Sequence, residues 1–237
     1  MAKTDLTKQK FQGKYLLPKG QDVVTPEKNI ALTHFPDMDE FNGALETYLV
    51  KRAQEKLAVE EKQSASKSTK IHHVDAWEVP GARFIHERAL TFFRTITGLP
   101  TAVSDLSWAN VYQKGDYILP HAHSRSVGSI VYVVSMGDDD DIDPMAGKFA
   151  IADPRLAVCR MAGGNYMSNT YMPEFKAGSM IIFPSDVVHL VTPYQGDRPR
   201  ITLAWNINAK SLPPRKAEEG YGIPPHPGQA RITKLIK

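Results

Sequence analysis

From about residue 105 onward the chain breaks into short β-rich runs separated by Gly, Pro, Asp and Asn, with no helical periodicity between them. Strands are predicted in SWANVYQ (107–113), SIVYVVS (129–135), GKFAIA (147–152), NTYMPEF (169–175), SMIIFP (179–184), VVHLVT (187–192) and RITLAWNIN (200–208). Parallel strands need a crossover of a dozen or more residues, usually a helix, and these gaps carry no helical pattern. Closely spaced short strands of this kind fold as an antiparallel sandwich or jelly roll. The acidic run DDDDID (138–143) falls between two strands and is expected to be a solvated loop, with a calcium site as the lesser alternative.

Ahead of this region the pattern is helical. Asp37 followed by Glu40 reads as a capping box, and Phe41, Leu45, Tyr48, Leu49 and Leu57 then recur at helical spacing. EEKQSASKSTK (60–70) has lost its apolar content and is expected to be a loop. A second helix is expected from near Pro80, with Ile85, Ala89, Phe92, Phe93 and Ile96 on its apolar side and Gly98 and Pro100 as the stop. Both helices are expected to pack outside a sheet. The resulting division is a helical extension (1–100), a β core (101–208) and a Pro-rich tail (209–237) whose final RITKLIK alternates well enough to add an edge strand.

Two histidines two residues apart, His121 and His123 in LPHAHS, precede an apolar strand, and His189 follows a Pro-Ser-Asp turn after another. Side chains two apart in a strand share a face, so the first pair can converge on one metal ion and the third close the set. Three neutral imidazoles suit zinc, copper and iron alike. The neighbours favour iron. Arg200 and Thr202 share a face and can grip a carboxylate beside the metal, while Asn110 and Tyr112 form a second polar pair. Three nitrogen ligands with open positions and a carboxylate grip point to an iron-dependent oxygenase.

These segments carry a resemblance. GDYILPHAHSRSVGSIVYVV, GKFAIADPR and AGSMIIFPSDVVHLVTPYQGDRPRITLAWNI resemble the 2-oxoglutarate/Fe(II) oxygenase superfamily over about residues 105–208, most of all a bacterial and phage branch with an HxH…H motif. The resemblance implies a double-stranded β-helix, a cupin-like jelly roll, with Fe(II) on His121, His123 and His189. It further implies that Arg200 and Thr202 bind the distal carboxylate of the cosubstrate 2-oxoglutarate, helped by Tyr112. The common superfamily motif has an acid where His123 stands, which removes one negative charge from the metal and makes zinc a competitor. The implied reaction uses O2 to hydroxylate a small molecule, with succinate and CO2 as coproducts. Substrate contacts are expected from Arg125, Asp153, Arg155, Trp108 and Asn206, with Asn208 also facing inward. Two other readings share these residues. One is a three-histidine cupin-type dioxygenase that adds O2 directly. The other is a non-catalytic metal-binding jelly roll.

Bulk properties narrow the setting. A formal charge of +3 without a dense basic run gives no sign of a nucleic-acid partner. The single cysteine, Cys159, excludes an internal disulfide and fits a reducing compartment. With a polar N-terminus and no stretch approaching the ~20 apolar residues that span a bilayer, a cytoplasmic protein without a membrane partner is expected.

Overall fold

The computed structural model describes residues 8–25, 30–58, 67–138, 143–152 and 170–209. Asp153, Arg155, most of the acidic run and the C-terminal tail lie outside the described residues, so the expectations placed on them have no structural counterpart.

Thirteen strands and two long helices are present among the described residues. The first four strands are β1 (Lys10–Phe11), β2 (Lys14–Tyr15), β3 (Val23–Val24) and β4 (Ala31–His34). Helix α1 (Asp39–Leu57), strand β5 (Thr69–His72) and helix α2 (Ala82–Thr97) follow. The barrel strands are then β6 (Val103–Tyr112), β7 (Ile118–His121), β8 (Gly128–Ser135), β9 (Phe149–Ala152), β10 (Thr170–Tyr171), β11 (Ser179–Pro184), β12 (His189–Val191) and β13 (Arg200–Asn208). A seven-stranded sheet, ordered β3-β4-β11-β8-β13-β6-β5, faces a four-stranded sheet ordered β10-β9-β12-β7. Every pairing is antiparallel. The fold is mainly β, a double-stranded β-helix with helices against one sheet, as expected.

The large sheet is buried on both faces, and its period-two alternation divides the side chains between two cores. On β13, Ile201, Leu203, Trp205 and Ile207 join the core shared with the helices. The intervening Arg200, Thr202, Asn206 and Asn208 are equally buried but polar, and they point away from that core. Between the two sheets lies a smaller core that includes Tyr112, Phe149, Ile151, Ile181 and Phe183. Polar residues on the inner face of a buried strand thus mark where the barrel is built for something other than packing.

Three sequence expectations need correction. The capping box does not form: α1 begins at Asp39 with no side-chain cap, and Asp37 sits in the preceding 3-10 turn. Its carboxylate instead pairs with Arg88 of α2 at 2.8 Å, because Arg88 is fully buried and needs a counter-charge more than the helix end needs a cap. The 60–70 stretch is not all loop, since Thr69 and Lys70 open β5, which pairs with β6. The single apolar residue Ile71 was too little for a periodic signal. Pro80 lies just outside α2, ahead of Gly81, whose φ of +87° starts the helix from a left-handed residue. Gly98 does end it, at φ +69°, donating its N–H to the Arg94 carbonyl.

Candidate metal and cosubstrate site

The three histidines meet at the mouth of the barrel, but not by the expected route. His121 is the last residue of β7 and His123 lies beyond the strand, so strand alternation does not align them. Tertiary contacts do. His121 is the register partner of His189 at the start of β12. The His123 N–H donates to the Ser185 carbonyl at 2.7 Å, fastening the chain after β7 to the Pro184-Ser185-Asp186 turn that aims His189. Ring centroids then lie 4.3 Å (His121–His189), 5.1 Å (His123–His189) and 5.2 Å (His121–His123) apart. One nitrogen from each falls within 4.8 Å of the others, close enough to hold one metal ion.

The tautomers follow from the neighbours. Nδ1 of His121 lies 2.9 Å from the Leu119 carbonyl, and Nδ1 of His189 lies 3.0 Å from the Val187 carbonyl. Nδ1 of His123 lies 2.5 Å from Oδ1 of Asn206. Each partner is an acceptor, so each Nδ1 carries the proton and each Nε2 keeps its lone pair for a metal. Burial, followed by the charge of His121, holds His123 down to about 4 and His189 to about 3. His121 is lowered by burial as well. At neutral pH protons do not compete for these nitrogens. Neutral imidazoles with their second nitrogen anchored fit a borderline divalent metal such as Fe(II) or Zn(II).

Arg200 lies deeper in the same cleft, fully buried, and its Nε and Nη1 make no hydrogen bond among the described residues. Tyr112, its register partner on β6, hydrogen-bonds to both Arg200 and Thr202, and the guanidinium carbon lies 5.0 Å from the Tyr112 ring centre. Burial pulls the guanidinium down and pushes the Tyr112 phenol up, and the two groups partly offset each other. A buried guanidinium with two donors unused is a costly arrangement unless a carboxylate fills it. No carboxylate lines the cleft among the described residues.

The remaining sequence candidates separate. Trp108 and Asn110 line the cleft, although the Asn110 Oδ1 is already taken by Ser68 at 3.1 Å and Trp108 Nε1 at 3.2 Å. Asn206 touches His123 rather than open space. Asn208 is buried but does not line the cleft, and Arg125 is exposed beyond it. Sequence reasoning missed Lys70, which does line the cleft. No sequence pattern marked it: one apolar residue sets no alternation, and only the place of Ile71 in the helix-side core shows that Lys70 faces inward.

Residues 106–206 match the family model described as "Putative 2OG-Fe(II) oxygenase". Among curated proteins, none matches this sequence. Among solved structures, the fold is similar to AviO1 from Streptomyces viridochromogenes Tue57, with a TM-score of 0.54 at 14% identity over 79% of this chain and 93% of that one. A prolyl-4-hydroxylase from Pseudomonas putida gives a TM-score of 0.52 at 16% identity, covering 76% of this chain and 92% of that one. SnoK, an alpha-ketoglutarate-dependent carbocyclase from nogalamycin biosynthesis, gives 0.52 at 12% identity over 80% and 84%. At these identities the likeness speaks for the fold. No helix among the described residues is long and apolar enough to cross a membrane.

Proposed function

We propose that this chain is a 2OG-Fe(II) oxygenase, the family whose model residues 106–206 match, and that it hydroxylates a small molecule at a site whose Fe(II) is held by His121, His123 and His189. In this reading Arg200, with Thr202 and Tyr112, takes the distal carboxylate of 2-oxoglutarate. The single observation that carries the assignment is Arg200, buried with two donors unused in the same cleft as three imidazoles whose Nδ1 protons are already engaged.

Bound together, Fe(II) and 2-oxoglutarate supply the oxidising chemistry: one oxygen atom of O2 goes to the substrate C–H bond, the other to succinate, and CO2 leaves. The protein's own residues bind, orient and exclude water. The planar guanidinium offers a fork matched to a carboxylate, and Tyr112 and Thr202 hold that fork in place. Phe183 and Phe149 pack 4.8 Å and 5.8 Å from the His189 ring, shielding that flank from solvent. Asn206 fixes the ring of His123 from behind.

Anaerobic titration of the Fe(II)-loaded protein with 2-oxoglutarate, followed by the visible charge-transfer absorption of the chelate, tests this. Arg200→Leu should raise the dissociation constant by about tenfold or more, the scale of a lost charge-assisted hydrogen bond. His123→Ala should weaken iron binding itself. Unchanged 2-oxoglutarate affinity in Arg200→Leu would remove the assignment of Arg200. Normal iron binding with no charge-transfer band in the wild type would move the protein to the direct three-histidine dioxygenase reading.

A further inference from the structure

A second cation stands in the cleft that the cosubstrate reading does not use. Lys70 is on β5, the edge strand of the large sheet, with Asn110 as its register partner. Ile71 next to it belongs to the helix-side core, so Lys70 projects to the opposite face. Its ammonium lies 5.9 Å from the ring centre of Trp108, whose own ring is 6.1 Å from that of His123. Trp108 thus links Lys70 to the metal side of the cleft, which both Lys70 and the three histidines line. Arg200 pairs instead with Tyr112, farther along β6. The two cations therefore address different parts of the cleft.

Charge balance gives the Lys70 part of the cleft a sign. Fe(II) and doubly charged 2-oxoglutarate cancel, and three neutral imidazoles add nothing. The charges of Arg200 and Lys70 are then in excess, and because the distal carboxylate already seats on Arg200, Lys70 is the cation left facing no carboxylate among the described residues of the cleft. Burial lowers the pKa of Lys70, and among the described residues no acidic neighbour raises it back. The indole face of Trp108 offsets only part of that desolvation.

We propose that Lys70 is the specificity-determining residue of the site, and that the primary substrate is a carboxylate-bearing small molecule whose carboxylate seats on Lys70 against the Trp108 indole. This rests on the oxygenase reading above and deepens it. The seat lies beside the metal ligands, so the oxidised C–H bond belongs to the short segment of substrate attached to that carboxylate.

The test uses full-length protein as wild type, Lys70→Met, Lys70→Arg and Arg200→Leu, with thermal melts to verify folding. Each is loaded anaerobically with Fe(II) and titrated with 2-oxoglutarate. Each is then assayed in air for succinate release with the L-amino acids and short-chain monocarboxylates, every acid beside its primary amide. Lys70→Met should bind 2-oxoglutarate within about twofold of wild type, while Arg200→Leu does not. At least one acid should stimulate the wild type where its amide does not. Lys70→Met should lose that stimulation about tenfold or more, through KM more than through kcat, and Lys70→Arg should recover it. A tenfold loss of 2-oxoglutarate affinity in Lys70→Met would overturn the proposal by giving Lys70 to the cosubstrate. Amides that serve as well as acids, or a panel in which nothing stimulates a wild type showing a normal charge-transfer band, would overturn it too. No band in the wild type would instead overturn the oxygenase reading and this proposal with it.

Discussion

Each of the three imidazoles faces an oxygen acceptor through Nδ1, but only His123 relies on a side chain for it. The other two use backbone carbonyls two residues away, which no substitution removes. Asn206→Ala should therefore weaken Fe(II) affinity by about 10–100-fold, measured by anaerobic metal titration. Asn206→Asp, which keeps an acceptor, should restore most of it, and equal affinity in the alanine variant would reduce Asn206 to packing. The same burial makes the metal-free protein sensitive to acid. His123 and His189 sit at about 4 and about 3 in the folded state, below the ordinary ~6.5 of the unfolded chain. The unfolded state thus takes up protons first as pH falls. Stability is complete above about pH 6.5 and declines through the window down to about pH 4 for His123, and on to about pH 3 for His189. Thermal melts of metal-free protein should show Tm falling below about pH 6.5, more shallowly in His189→Asn. A Tm that stays flat would mean these rings are hydrated.

At the scale of elements, Arg88 joins α2 to the N-terminal segment. Its guanidinium donates to both Asp37 oxygens at 2.8 and 3.0 Å, to the Tyr15 carbonyl at 2.8 Å and to the Leu16 carbonyl at 2.9 Å. Phe35 and Phe84 lie 4.3 and 4.4 Å from its centre. Removing one partner of a buried pair costs about 3–5 kcal/mol, and the side chain of Asp37 is 35% exposed. That exposure discounts the effect, so Asp37→Ala should destabilise by about 2 kcal/mol in urea unfolding with an unchanged m-value. A loss below about 0.5 kcal/mol would show that the two carbonyls suffice. Strand β8 meets α2 more tightly: a Cβ on Gly128 would fall 2.3 Å from the Phe93 ring. Gly128→Ala should cost about 1–3 kcal/mol by overpacking. Adding Phe93→Leu, which shortens the opposing side chain, should recover part of that loss, and strictly additive losses in the double variant would place the strain elsewhere.

For the whole molecule, the segment that matches the oxygenase family does not enclose its own core. Strands β4 and β5 come from the first hundred residues yet pair with β11 and β6. The outward face of the large sheet, including Ile130, Tyr132, Leu203 and Trp205, is covered by residues of α1 and α2. Buried Trp205 donates its indole N–H to Nδ1 of His86 on α2 at 3.1 Å, giving that histidine a structural role. A fragment spanning 101–237 should therefore expose a continuous apolar face and two open sheet edges, and aggregate on expression. A soluble, cooperatively melting fragment would show that the helices are dispensable.

What the sequence determined by itself was whatever depends on local alternation and residue chemistry. The runs SMIIFP and RITLAWNIN coincide with β11 and β13, because the first is nearly continuous in apolar residues and the second alternates them with mostly polar ones. His121, His123, His189 and Arg200 stood out because imidazoles and a guanidinium are poor ways to fill a core. Only the tertiary structure decided how they meet. His123 is aligned by the Ser185 carbonyl and by Asn206, and Lys70 enters the cleft through an edge strand with a single apolar residue. Asp37 leaves its helix end for Arg88. In each case the deciding partner lies distant in sequence, and the energy of satisfying a buried polar group outweighs the local preference that sequence patterns record.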